Sequence, residues 1–370
     1  MSLLDPDLII ERARLFARSD DFFGERWVPA FRALLEAVDA EARLRPGRRE
    51  RFASELVQLL VTRSRTAAAL RAHPEIASLS VPGPVVISGL PRTGTTLLHN
   101  LLALLPGNRS YRLWELRAPA FPSGAPLDQP RRERDAAREA LAWIESRAPI
   151  FRTIHPMDAD APDECNFLLR PTFTTPVFAW TNHVPSYERW LLESADRRAA
   201  YEEWKLGLQL LRFRSPGGMP VLKDPGHLES LDVLLDVCPD ARVVILSRDL
   251  AECVPSLASL CHTLQSIESD APSKESVGAL ALGAAQRGLA ALARARELHP
   301  EKVLTVPYTS LVGDPVATVG TIQASLGRLW DEEGRRRCLR FLEANRRVAP
   351  LPHRYTLEEF GLAAADLPVP

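Results

Sequence analysis

The residues best arranged for chemistry are Gly89-Leu90-Pro91-Arg92-Thr93-Gly94-Thr95-Thr96, set between the apolar run Val85-Val86-Ile87-Ser88 and Leu97-Leu98. An apolar run rich in valine, a glycine-bounded loop and the first turn of an apolar helix make a phosphate-binding loop. There, backbone N–H groups and a helix N-terminus converge on an anion. A Walker loop, Gly-x-x-x-x-Gly-Lys-Ser/Thr, uses its lysine to reach the β- and γ-phosphates. Here Thr95 occupies the lysine position, and the nearby cation is Arg92, inside the loop. Such a loop grips one phosphate-sized group and lacks the usual hold on a triphosphate.

Two more constellations fall at predicted strand ends. Arg248-Asp249 follows the apolar run at 241–247, with Ser256 eight positions beyond Arg248. Ligands of doubly wound sheets sit beyond the carboxyl ends of the strands. An arginine and a serine there can form charge-assisted bonds to a second, separate phosphate, although an Arg-Asp pair can equally open a helix at the surface. Lys223-Asp224-Pro225 also ends a short apolar run, and lysine occurs elsewhere only at 205, 274 and 302. The run His155-x-x-Asp158-x-Asp160-x-x-Asp163-Glu164-Cys165 fits no zinc or calcium spacing, so no metal is expected.

These residues need a scaffold. Phe31, Leu34, Leu35 and Val38, then Phe52, Leu56, Leu59 and Leu60, repeat at helical spacing, so residues 1–80 are read as a helical N-terminal region. Strands are expected at 85–88, 220–223, 241–247 and 303–306, with helices between them at 97–105, 228–235 and 278–298. Strand and helix alternate, which predicts an α/β fold with a central parallel sheet flanked by helices. Residues 81–335 are assigned to this core, and 336–370 to a C-terminal helix and a Pro-rich arm lying on it. Residues 115–220 read as a helical and irregular insertion, with an exposed helix at 131–145 and another at 201–213. Its aromatics, with Trp180 among Phe173, Phe178, Tyr187 and Trp190, line an acceptor pocket or form the insertion's own core.

Bulk composition narrows the class. With 46% hydrophobic and 25% charged residues the chain reads as globular, and a net charge of −1 supplies no field for nucleic acid. No apolar run of membrane-spanning length and no signal peptide is read, and the five cysteines form no C-x-x-C pair. A reduced cytoplasmic protein is expected, and homo-oligomerisation stays open.

Taken together, the motifs resemble the sulfotransferase family, whose donor is 3′-phosphoadenosine 5′-phosphosulfate. The loop at 89–96 is similar to the family's 5′-phosphosulfate loop, and Lys223-Asp224-Pro225 to the stretch leading to its 3′-phosphate site. Arg248 and Ser256 match the 3′-phosphate pair, and Val306-Pro307-Tyr308-Thr309-Ser310-Leu311 the element whose tyrosine lies near the adenine. The Pro-Arg-Thr-Gly-Thr-Thr and Lys-Asp-Pro forms look most like tyrosylprotein sulfotransferases and nearby bacterial enzymes. The resemblance implies a P-loop NTPase-like core and transfer of a sulfuryl group to a hydroxyl or amine of a small or lipid-like acceptor, without a metal. It assigns donor binding to Gly89, Arg92, Thr93, Gly94, Thr95, Thr96, Arg248, Ser256 and Tyr308, and stabilisation of the leaving phosphate to Arg92 and Lys223. Three residues compete as general base: Glu115, where the tyrosylprotein enzymes carry theirs; His227, just after Lys-Asp-Pro; and His155, which with Trp180 is placed at the acceptor. A P-loop kinase or NTPase and a non-catalytic nucleotide-binding protein remain as alternatives.

Overall fold

Apolar runs buried on both faces form parallel strands. In the computed structural model, which describes residues 3–122, 124–270, 272–345 and 355–368, the four expected strands are β1 (Val85–Gly89), β3 (Met219–Lys223), β4 (Arg242–Ser247) and β5 (Val303–Pro307). A two-residue edge strand, β2 (Asn108–Arg109), joins them and carries no apolar pattern for sequence to reveal. All pairings are parallel, in the order β2-β3-β1-β4-β5. In this order β1 is central, with β3 and β2 on one side and β4 and β5 on the other. Strand order therefore reverses at β1, and the loops that follow β1, β3, β4 and β5 gather along one edge.

The join between β1 and β4 is very close. Gly89 has φ +140°, and a Cβ there would stand 2.5 Å from the carbonyl oxygen of Leu246 on β4. Only glycine fits both the conformation and the gap.

The N-terminal region forms the helices Pro6–Ala17, Val28–Glu41 and Arg48–Ala72. These share a hydrophobic core with the insertion: the Phe31 ring lies 5.0 Å from that of Phe173, tilted by 57°, and Trp27 lies 5.8 Å from the same ring. Arg63, buried on the third helix, donates to the carbonyls of Phe22 and Pro171 and pairs with Glu203 at 2.5 Å. Phe173, Phe178 and Tyr187 therefore belong to this core and not to a pocket wall.

The helix expected at 131–145 is Gln129–Arg147 and buries Ala137. The helix expected at 278–298 is Lys274–Leu298, long and apolar enough by length and composition to cross a membrane. Here it is a core helix with Val277, Ala281, Ala285 and Leu292 buried. Of the C-terminal arm, residues 346–354 and 369–370 lie outside the described residues. The remainder seats Leu357 and Phe360 in the core beside Gly278.

Gly89→Ala is expected to cost about 3 kcal/mol or more, because the strained φ and the collision with Leu246 add. Gly107, also at positive φ (+79°), faces open space, and its alanine variant should lose only about 1–2 kcal/mol. Urea unfolding of both variants checks the contrast, and equal losses would contradict it.

Candidate functional site

The loop after β1 feeds the helix Thr95–Ala103, whose N-cap is Gly94 at φ +88°. Glycine brings no side chain to cap the first turn, so its N–H groups stay open to an anion. A Cβ on Gly94 would come within 3.1 Å of the Tyr308 ring and fill the cradle. Thr93 steadies the turn by donating from Oγ1 to the Leu90 carbonyl at 2.8 Å. Arg92 takes φ +72°, unusual for a residue with a side chain.

Arg92 bridges the core and the insertion. Its guanidinium donates to the carbonyl of Ile154, and its own carbonyl accepts from Arg248 Nη1 at 2.8 Å. The Arg248 guanidinium lies 4.3 Å from the centre of the Tyr308 ring and meets Glu252 through Nε at 2.8 Å. Three strand-end elements thus converge on one spot: the loop after β1, Arg248 after β4 and Tyr308 after β5.

They open on a cavity of about 310 Å³. Pro91, Arg92, Gly94, Thr95 and Thr96 form one wall, with Arg248 and Tyr308 beside them. The insertion supplies His155, Glu164, Asn166 and Trp180. Leu141 and Ile144 of the helix Gln129–Arg147, with Phe151, Leu260 and Leu264, make an apolar face. That helix, read from its charges as merely exposed, turns its apolar side to the cavity.

Glu164 is the carboxylate on this wall. Its Oε1 accepts from Lys223 Nζ at 2.7 Å and its Oε2 from Asn166 Nδ2 at 2.8 Å. Burial raises the Glu164 pKa, but Lys223 and His155 lower it further, so the net shift is downward and the group is ionised. Burial also lowers the Lys223 pKa, and Glu164 and Asp163 more than restore it. Lys223 is 2% exposed and lies off the cavity wall, so it meets Glu164 and not the open space. His155 lines the cavity beside Phe151. Burial pushes its pKa down to about 4, with Glu164 opposing and Lys223 and Arg92 assisting, and the imidazole is neutral at pH 7.

Other expected site residues lie elsewhere. Glu115 caps its own helix, Leu113–Arg117: Oε2 accepts from Arg112 N at 2.9 Å and Oε1 from Arg109 Nη2 at 2.6 Å. The residue is off the cavity wall. His227 is 0% exposed, between the Tyr201 hydroxyl at 2.7 Å from Nδ1 and Cys165 Sγ at 3.1 Å from Nε2. Burial pushes its pKa down to about 3. Ser256, buried on the helix Leu250–Glu268, and Thr93 and Gly89 also stay behind the surface. Glu164 was missed because its signal sat in the acidic run weighed only for metal. In that run Asp160 pairs with Arg134 and Arg138, while Asp163 accepts from Glu164 N at 2.6 Å.

The Sulfotransferase family matches residues 84–332. Two curated relatives are 28% identical over 259 residues, 66% of this chain and 62% of theirs. Both are named omega-hydroxy-beta-dihydromenaquinone-9 sulfotransferase Stf3, from Mycobacterium bovis and Mycobacterium tuberculosis. The match therefore spans just under two thirds of those relatives. The crystal structure of sulfotransferase STF1 from M. tuberculosis H37Rv aligns with TM-score 0.81 and 28% identity, covering 96% of this chain and 95% of that one. That of STF9 from Mycobacterium avium aligns with TM-score 0.84 and 25% identity, covering 97% and 93%.

Burial raises the Asp163 pKa from 3.8 to about 7. The folded state then holds a proton that the unfolded state releases, so this group's contribution to stability is full below about pH 4 and is lost as pH rises through 7. Asp163→Asn keeps an oxygen for Glu164 N and removes the titration. Its advantage over the parent should grow between about pH 4 and 7, to at most about 4 kcal/mol, and then level off. Urea melts across that range check it, and a constant difference would contradict it.

Proposed function

We propose that this chain, which belongs to the sulfotransferase family, moves a sulfuryl group from 3′-phosphoadenosine 5′-phosphosulfate to the hydroxyl of a lipid-like acceptor. With that membership the phosphotransferase and the non-catalytic alternatives are set aside. The observation that carries the reading is one cavity, with an uncapped helix N-terminus and two arginines at one wall and an apolar face at another. A donor with one phosphate at its reacting end and another on its ribose needs two separated cationic sites and no triphosphate grip. Arg92 and the first turn of Thr95–Ala103, with the hydroxyls of Thr95 and Thr96, suit the 5′-phosphate. Arg248 suits the 3′-phosphate, since its pair with Glu252 is a partly exposed i,i+4 contact that binding can replace. Tyr308, against Gly94 and Arg248, suits the adenine side. Ser256, behind the surface, is left out of this contact set.

The base is assigned to Glu164. A base works when its orientation is fixed and its reactive atom faces the substrate. Glu164 meets both conditions: Lys223 and Asn166 hold it, and it lies on the wall. Glu115 and His227 are held as firmly, but neither lies on the cavity wall. The acceptor oxygen attacks sulfur in line as the bond from sulfur to the 5′-phosphate oxygen breaks, and its proton passes to Glu164. Arg92 and the helix N-terminus stabilise the negative charge gathering on the departing phosphate. Lys223 acts through Glu164 as a positioning residue, and His155 and Trp180 contact the acceptor. The relatives' name, which gives a hydroxylated menaquinone, supports an apolar alcohol as acceptor. Five buried, unpaired thiols fit a reducing compartment, and the cytoplasm is the proposed location.

Single-turnover transfer from labelled donor to long-chain alcohols tests the base. Glu164→Gln is expected to slow the chemical step by about two to four powers of ten with donor affinity nearly unchanged. Glu115→Gln should lower thermal stability and slow the step far less. The reverse order would return the role to Glu115, and an unaffected rate in both would remove it from either carboxylate.

A further inference from the structure

Two arginines on the cavity wall make no ion pair among the described residues. Arg117 ends the short helix Leu113–Arg117, and Arg170 begins the turn Arg170–Thr172. Both line the cavity, with their guanidinium carbons 5.9 Å and 5.6 Å from the centre of the Phe167 ring. Arg170 Nε is buried without a hydrogen-bond partner among the described residues. Of the carboxylates near enough to act on them, Glu55 is held by Arg51 at 3.2 Å, Glu133 by Arg65 at 3.0 Å and Glu268 by Arg48 at 2.9 Å, while Asp163, which senses Arg117, is pushed by burial toward its neutral form.

Desolvation is the largest influence on both side chains and lowers both pKa values, and Arg170 lowers that of Arg117 further. Arg117 is nonetheless exposed, whereas Arg170 is only partly so, and both line the cavity. Unanswered cations in such a place are costly unless a ligand brings the opposite charge. That ligand is not the donor's phosphate. The charges that act most on Arg117 and Arg170 come from the N-terminal helices, the helix Gln129–Arg147 and Glu268, and Arg117 also senses Arg170 and Asp163. At the donor wall stand separate cations, Arg92 and Arg248. Glu164 is the one acid among the described lining residues, and it is committed to Lys223.

We infer that the acceptor carries an anionic group besides its hydroxyl, and that Arg117 and Arg170 bind it. With Leu141, Ile144, Phe151, Leu260 and Leu264 also on the wall, the acceptor is an amphipathic hydroxy acid. An apolar body carries the hydroxyl to Glu164 and a carboxylate or phosphate to the arginine pair. This specifies the acceptor of the sulfotransferase reading and rests on it.

Calorimetry on the full chain saturated with adenosine 3′,5′-bisphosphate tests it, with 12-hydroxydodecanoate, 12-hydroxydodecyl phosphate and the neutral 1,12-dodecanediol as probes. At least one of the anionic probes should bind about tenfold or more tighter than the diol, and the stronger of the two identifies the anion. Arg117→Gln and Arg170→Gln should each reduce that preference to about threefold or less while bisphosphate affinity changes by less than about twofold. The ligand-free Arg170→Gln protein should unfold at or above the parent's temperature, because an unanswered charge has gone. If that variant does not fold, Arg117→Gln carries the comparison. Equal binding of acids and diol, no binding of either, or a preference that survives substitution overturns the inference. If the bisphosphate does not bind, the donor reading falls instead, and the probes titrated into the free protein still decide the anion site by the same comparison.

Discussion

The site depends on the positive end of one short helix being left open. Thr95–Ala103 begins at a glycine that cannot cap it, so its first-turn N–H groups have no side-chain partner within the helix. Everything around that end holds it in place. Gly89 lets β1 approach β4 closely enough to fix where the loop starts, and Thr93 ties the turn to Leu90. Arg248 grips the loop through the Arg92 carbonyl, and Tyr308 closes over Gly94. Three strand ends are thus committed to presenting one helix terminus.

The helical additions complete the site from the other side. The sheet alone offers cations and N–H groups and no apolar surface for an acceptor. The insertion between β2 and β3, with the helix Leu250–Glu268, supplies that surface, and the insertion's aromatic core is shared with the N-terminal helices through Phe31, Trp27 and Phe173. Arg63 locks the same joint with hydrogen bonds to three segments. On this view the N-terminal region serves the chemistry by keeping the insertion over the loop. The contact between Arg92 and the Ile154 carbonyl then links the acceptor wall directly to the loop.

Sequence alone revealed the strands at 85–88, 220–223, 241–247 and 303–306, because buried parallel strands carry dense apolar runs. It also revealed the loop, Arg248 and Tyr308, because short motifs at strand ends keep fixed spacing. The two residues of β2 were invisible, being too short and too polar to carry a pattern. The proposed base was obscured for a different reason. Glu115, His227 and Glu164 look alike as isolated titratable residues, and only the fold shows that one caps a helix, one lies in the core and one faces the cavity. Arg117 and Arg170 carried no signal in a chain where arginine supplies nearly all positive charge. Their meaning comes from the partners they lack.

The central claim is that this loop, without a Walker lysine, selects a nucleotide by two separate phosphates and not by a polyphosphate chain. Equilibrium titration in EDTA with adenosine 3′,5′-bisphosphate, adenosine 5′-monophosphate and ATP tests it most directly. The account predicts that the bisphosphate binds without a divalent ion and about a hundredfold or more tighter than the monophosphate, the worth of one well-held phosphate. ATP should compete poorly whether or not magnesium is then added. Tighter binding of magnesium-ATP than of the bisphosphate, or no discrimination by the 3′-phosphate, would contradict it.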